Sequence, residues 1–455
     1  MKIKKFIYKS LLTLILTQAA GAQFLDSTAS PASAKLNRER GLNMLSEIKE
    51  IIKDRYYDKN FRGIDLDARF KIASERIKKM DTNAQIFRVI AQVVLEFNDS
   101  HTRFIPPGRA NRVEYGFSMQ IIGNNCFVVD VKKGSDAEAK GLKVGDVVAG
   151  IGNFAPTREN LWKMNYLLYA LDPQQNIKIF VQNPDKTERE IDIKARFKSI
   201  EEREKEANKR KNEKRENPYS CKQIDTETIA CKLKTFSIDK KYVDKMMKEV
   251  GVHKKFILDL RGNGGGYVKI EEYLTGYFFD RNVKIADFVM RQKIKERTAK
   301  PLKDKTYKGE LVVLIDSNSA SASEVFARVV QLEKRGKVVG DVSAGAVMTS
   351  ISLGMANVRG PESLLTFSVY GISVTIADLI MADGKRLENA GVIPDYLVGP
   401  TGTALFAKTD PVLSYAASLF GAKISAEEAG QFYFITSKPE GEDDDDEDVT
   451  VAEDN

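Results

Sequence analysis

The sequence predicts an α/β protein: an α/β core in the C-terminal half, preceded by a β-rich module and, before that, a small helical domain. Three patterns carry this expectation. From Thr235 to about Pro400, continuous apolar runs such as KFILDL (255–260) and GELVVLID (309–316) stop at tight turns and pass into helix-patterned segments. Residues 113–197 hold short β-rich runs punctuated by glycine, and residues 38–97 repeat apolar side chains at helical spacing.

Taken in order, residues 1–22 run from Lys2, Lys4 and Lys5 through apolar Leu11–Leu16 to Ala20-Gly21-Ala22. That is the pattern of a cleavable secretory signal, its apolar part too short to span a bilayer. A periplasmic or secreted protein without stable membrane insertion is expected after cleavage. Residues 23–37 are small and polar and read as a linker. The helical domain, 38–110, rests on LSEIKEIIKDRYY (45–57) and IFRVIAQVVLEF (86–97), and closes with NDSHTRF (98–104) before Pro106 and Pro107. Residues 111–199 form the β-rich module. Residues 200–218 follow as a charged linker, because 200–216 hold seven bases and six acids with hardly an apolar side chain. The core spans 219–410, and 411–455 ends in an acidic run with nothing to bury.

Charge and cysteine content exclude several classes. The formal charge is +7; the first 22 residues contribute +4 and residues 440–455 contribute −10, which leaves +13 between them. Bases and acids are interleaved there, so no nucleic-acid surface is expected. Cys126, Cys221 and Cys231 are too few for a disulfide scaffold, although a hairpin over KQIDTETIA could bring Cys221 and Cys231 together. With two histidines and no Cys/His ligand spacing, no metal and no cofactor are expected.

The chemistry concentrates in two turns. RGNGGG (261–266) frees the backbone to approach a ligand. In SNSASASE, Ser321 precedes Glu324 by three residues, the spacing of a capping box. A serine there also sits among backbone N–H groups at the positive end of a helix, where an oxyanion is stabilised. GNGGG lacks the G-K-[ST] of a phosphate loop, and Tyr267 stands where a dinucleotide fingerprint needs its third glycine.

LDLRGNGGG and SNSASASEVFA resemble the two signature segments of the C-terminal processing, or tail-specific, serine proteases. YGFSM (115–119) and SDAEAKGLKVGDVVAGIG resemble the carboxylate-binding loop and the helix and strand start of a PDZ domain, which that family carries before its catalytic part. The resemblance implies a crotonase- and Clp-protease-like α/β core with an inserted PDZ domain. It maps the nucleophile to Ser321 and the oxyanion hole to the N–H of Ala322 with that of Gly264 or Gly265. Peptide termini would be held at Tyr115, Gly116, Phe117, Ser118 and Met119.

One departure matters: where the bacterial members have a lysine base, this chain has Ala346, within GDVSAGAVMTS. The tricorn-like branch instead uses a histidine preceded by serine and a later glutamate. DSHT supplies Ser100 and His101, and RLENAGVIPD (386–395) supplies Glu388. The implied site has Ser321 attacking, His101 taking its proton, and Ser100 with Glu388 orienting the imidazole. The second histidine, His253, precedes strand 255–260 by enough residues to stand roughly 20 Å from the glycine turn. Two functions follow: a serine endopeptidase acting on polypeptides near their C-termini, or an inactive PDZ-bearing scaffold that binds such termini. Oligomeric state is left open.

Overall fold

The computed structural model describes residues 30–109, 111–183, 185–212, 217–359 and 366–432. Residues 1–22, read above as a secretory signal, and the acidic run 440–455 lie outside them.

Helix α1 (Pro31–Arg55) begins inside the stretch read as a linker, ahead of the apolar periodicity. Ser30 accepts a hydrogen bond from the Ser33 N–H, and Pro31 stands in the first helical turn, where its missing N–H removes no helical bond. Asp65 and Thr82 cap α2 (Leu66–Ile77) and α3 (Asn83–Leu95) in the same way. Ile48, Phe70, Ile77 and Ile90 from these helices share one core with Tyr370 and Ile372 of a long strand, 366–381. The helical unit is therefore built onto the core by apolar contact.

Strand β1 (Arg103–Ile105) follows and pairs antiparallel with that same long strand, Arg103 opposite Ser373. The chain then leaves the core through β2 (Arg112–Glu114). A five-stranded antiparallel sheet is built from β3 (Phe117–Ile122), β4 (Asn125–Val131), β5 (Val147–Ile151), β6 (Asn176–Gln182) and β7 (Glu188–Lys194), in that spatial order. β3 is an edge strand. Two short helices, α4 (Asp136–Ala139) and α5 (Leu161–Asn165), close its core around Phe117, Met119, Val128 and Ile179. β8 (Arg196–Lys198) pairs with β2 and shuts the excursion; the charged helix α6 (Ile200–Asn212) follows.

The core has two sheets. In the first, β9 (Tyr219–Gln223) pairs antiparallel with β10 (Thr228–Leu233), which places Cys221 opposite Cys231, and the two are disulfide-bonded. β10 then pairs parallel with β11 (Lys255–Asp259), and β11 with β14 (Glu310–Ile315). β15 (Lys337–Gly340) and β18 (Tyr396–Leu397) complete a six-stranded order β18-β15-β14-β11-β10-β9. β11 and β14 are the two apolar runs of the sequence; each is buried beyond its first residue, as central parallel strands require. Helices α7 (Lys240–Val250), α8 (Val268–Thr275) and α9 (Ala322–Leu332) bury Met246, Leu274 and Phe326 against one face. After α10 (Gly402–Ala407), α11 (Pro411–Ser418) lays Leu413 and Ala416 on the other, against Ile257 and Val312.

The second sheet is antiparallel, in the order β1, β17 (Thr366–Met381), β12 (Val283–Met290) and β13 (Ile294–Ala299), with β16 (Met348–Arg359) paired to β17. Three loops, 260–266, 316–321 and 341–347, leave the C-terminal ends of β11, β14 and β15 together. Ligand chemistry in parallel sheets gathers at that edge.

Candidate active site

The glycine turn is held rigid from beneath. Asp259 and Asp410 grip the Arg261 guanidinium, at 2.6 Å and 2.7 Å, and Lys232 Nζ donates to the Arg261 carbonyl. All four side chains are buried. Asn263 stitches this turn to the serine turn: its carbonyl accepts from the Ala320 N–H at 3.0 Å and from Ser323 Oγ at 2.9 Å. Ser319 Oγ donates to the Leu260 carbonyl at 2.8 Å. Ser319 and Ser323 are thus buried structural serines. Ser321 between them is only half-buried.

Ser321 has φ 54° and ψ −117°, a conformation costly for a residue with a Cβ and one that concentrates at functional sites. Gly265 makes room for it. A Cβ on Gly265 would lie 2.7 Å from Ser321 Cβ and 3.1 Å from the Ala322 nitrogen, at φ +104°. The Gly265 N–H already donates to Asn263 Oδ1 at 2.9 Å. Among the described residues the N–H groups of Gly264 and Ala322 have no such partner, and an added Cβ on Gly264 would meet only open space. The pair of backbone donors beside Ser321 is therefore Gly264 with Ala322.

Glu324 does more than cap α9. Its buried carboxylate accepts from the N–H groups of Ser321 (3.0 Å), Gly345 (2.7 Å) and Ala346 (2.9 Å) and from Ser343 Oγ (2.6 Å). Burial pushes its pKa up to about 7, and these four donors pull it back. The clamp fastens loop 343–346 against the serine turn. Ala346 serves through its backbone, its carbonyl accepting from the Ser321 N–H at 3.0 Å.

The DSHT motif reaches this loop from the other side. Asp99, buried, shapes it: Oδ1 accepts from the His101 and Thr102 N–H groups and from Thr375 Oγ1, and Oδ2 from Tyr56 Oη and Thr102 Oγ1. Pairing of β1 with β17 anchors the far end. Ser100 Oγ lies 2.6 Å from His101 Nδ1 and donates to Glu388 Oε2 at 2.9 Å, while the Ser100 N–H donates to Oε1 at 2.7 Å. The hydroxyl proton is committed to the carboxylate, so its oxygen accepts from Nδ1–H and the basic lone pair sits on Nε2.

Glu388 also accepts from the Val347 N–H, at 2.9 Å. The Val347 nitrogen and the Ala346 carbonyl belong to one peptide group. Its two ends hold Glu388 and the Ser321 N–H, so Glu388 Oε2 and the Ser321 nitrogen are at most about 8 Å apart. Burial pushes the His101 pKa down to about 4, with the Asp99 charge raising it and Arg103 lowering it further. The ring is therefore neutral at pH 7. Burial likewise raises the Glu388 pKa against the bonds from Val347 and Ser100. A cavity of about 680 Å³, lined by Tyr57, Arg62, Arg291, Asp378 and Arg386 among others, opens beside Glu388.

The remaining residues singled out in the sequence lie elsewhere. Tyr115 is buried, its hydroxyl bonded to the Gln174 backbone; Gly116 has φ +80°; Phe117, Ser118 and Met119 begin the edge strand β3. His253 sits in the loop before β11, its Nδ1 3.2 Å from the Glu249 carbonyl. Among the described residues no group of three or more His, Cys, Asp or Glu is arranged to hold a metal ion. No described helix is long and apolar enough to cross a membrane. Sequence reasoning missed Asn263 and the loop-clamping role of Glu324; the S-x-x-E spacing flagged the latter only as a cap.

A strained serine at a helix start, two backbone donors beside it and an imidazole hydrogen-bonded through Ser100 to a carboxylate are parts that serine peptidases use. Residues 229–398 match peptidase family S41, residues 39–94 match the tricorn protease C1 domain, and the chain is similar to C-terminal processing, or tail-specific, proteases. It is 24% identical over 381 residues to the chloroplastic C-terminal processing peptidase of Tetradesmus obliquus, covering 76% of this chain and 74% of that protein. It is 26% identical over 327 residues to the tail-specific protease of Haemophilus influenzae, covering 67% of this chain and 45% of that one. The crystal structure of mature CPAF shares the fold, with a TM-score of 0.61 at 14% identity over 88% of this chain and 96% of that one.

Proposed function

We propose that this chain is an endopeptidase that cuts polypeptides through an acyl-enzyme on Ser321, with His101 as general base. The observation that carries the reading is the relay from His101 through Ser100 to Glu388, which ends on the same peptide group that holds the Ser321 backbone. Nε2 of the neutral imidazole takes the Ser321 proton as Oγ attacks the scissile carbonyl. The imidazolium is stabilised through Ser100 by Glu388, and the oxyanion is met by the N–H groups of Gly264 and Ala322. Proton return to the leaving amine and attack by water complete hydrolysis. The relay does the work of the lysine that Ala346 replaces, and the scaffold alternative is not favoured by the comparisons.

The module 111–199 acts as a PDZ domain that captures substrate tails: β3 is an edge strand, and Gly116 opens the loop that precedes it. Residues 1–22 direct export, a reading supported by the Cys221–Cys231 disulfide, which persists in an oxidising compartment. Hydrolysis of a fluorogenic peptide tests the catalytic assignment. Ser321→Ala is expected to abolish turnover and His101→Ala to lower kcat about 10²- to 10⁴-fold. Wild-type turnover by the His101→Ala variant overturns it.

A further inference from the structure

The edge strand β3 touches the serine turn directly. Asp316, the first residue after β14, ties the two turns of the site together: Oδ1 accepts from the Gly262 N–H at 2.8 Å and the Asn318 N–H at 3.0 Å. Gly262 lies two residues before the free donor of Gly264, and Asn318 three before Ser321. The other oxygen, Oδ2, accepts from Gln120 Nε2 of β3 at 2.8 Å. Beside it, Ser317 Oγ accepts from the same amide at 3.2 Å and donates to the Ile121 carbonyl of β3. A second bracket holds the neighbouring loop. Arg158 donates to the Val342 carbonyl at 2.7 Å and to Asp341 Oδ2 at 2.9 Å, and the Gly123 N–H at the end of β3 donates to the same oxygen at 2.8 Å.

These contacts connect the β-rich module to the backbone that carries the nucleophile and the oxyanion donors. We propose that Gln120 is a positioning residue for the reaction: by fixing the Asp316 carboxylate it sets the spacing of the glycine turn from the serine turn. The module thus contributes to the alignment of the oxyanion hole through one side chain. This inference rests on the proposed peptidase reaction at Ser321. Misalignment of oxyanion donors weakens an interaction made mainly in the transition state, so its loss falls on kcat and leaves KM in place.

The test is an exchange of charges across the Gln120–Asp316 pair, read as kcat and KM on a short peptide, with folding followed by thermal melts. Gln120→Glu puts a carboxylate against Asp316 at pH 8, and kcat is expected to fall about 10-fold with KM within about twofold. As the pH drops towards 5 the introduced acid takes a proton and donates to Asp316, so the ratio of variant to wild-type kcat rises. Combining Gln120→Glu with Asp316→Asn gives the carboxylate an amide donor, and kcat returns to within about threefold of wild type. Should Gln120→Glu fail to fold at pH 8, Gln120→Leu removes the donor without adding charge and is expected to lose several-fold in kcat alone. A Gln120→Glu or Gln120→Leu variant with wild-type kcat, or a double variant no better than the single one, overturns the inference. A wild-type protein that hydrolyses no peptide would instead overturn the reaction on which it rests.

Discussion

Ser100→Ala isolates the contribution of the relay. It removes one oxygen and leaves Ser321, His101 and Glu388 in place. Ser100 Oγ is 2.6 Å from His101 Nδ1 and 2.9 Å from Glu388 Oε2, so its loss severs imidazole from carboxylate at a single atom. The Ser100 N–H keeps its 2.7 Å bond to Oε1, and the Val347 N–H its bond to Oε2, so Glu388 is expected to stay where it is. The buried Nδ1–H loses its acceptor, at about 1–3 kcal/mol of stability. In the transition state the bond would be to a charged imidazolium and worth about 1.5–3 kcal/mol, which predicts a kcat about 10- to 150-fold lower. Steady-state hydrolysis of a fluorogenic peptide measures this, with a thermal melt reporting the stability change. A Ser100→Ala enzyme with wild-type kcat would refute the claim that the hydroxyl connects base and acid.

Other expectations concern pH, packing and redox state. With the His101 pKa held near 4 in the folded protein against an ordinary 6.5, the base stays neutral in acid, so the acidic limb of kcat/KM should fall below pH 6. A limb at 6.5 or above would contradict it. Between pH 7 and 4 the unfolded chain binds this proton and the folded chain does not, so stability declines as pH falls, by up to about 3 kcal/mol from this group. Denaturant titrations at several pH values read that slope. Gly265→Ala forces a Cβ to within 2.7 Å of Ser321 Cβ at φ +104°, and kcat should drop by at least about 100-fold through the displaced nucleophile and oxyanion donors. Thiol counting on unfolded, unreduced protein should give one reactive cysteine, Cys126, and three after reduction; three before reduction would remove the disulfide as support for export.

The central parallel strands could be read from the sequence because each is a self-contained signal: an apolar run the length of a strand, ended by a turn rich in Gly or Ser. The antiparallel second sheet could not. Its strands β12, β13, β16 and β17 are spread over 283–381, and β1 joins them from residue 103, so only long-range pairing defines it. At the site, Ser321 was marked by local spacing, whereas His101 and Glu388 were legible only through family resemblance. They lie 287 positions apart and meet through hydrogen bonds to Ser100. The choice between Gly264 and Gly265 was undecidable from residue types, since both are glycine. In the fold the Asn263 side chain accepts from the Gly265 N–H, which leaves that of Gly264 for the proposed role. Gln120 and Asp316 gave no signal at all, being an ordinary strand amide and a turn acid until the fold sets them 2.8 Å apart.

The central claim, that His101 activates Ser321, is tested most directly by the rate at which a fluorophosphonate modifies the protein, with the adduct located by peptide mass spectrometry. The account predicts a single adduct on Ser321, formed about 10²- to 10⁴-fold more slowly in folded His101→Ala protein. An adduct elsewhere, or a Ser321 adduct formed equally fast without the imidazole, would contradict it.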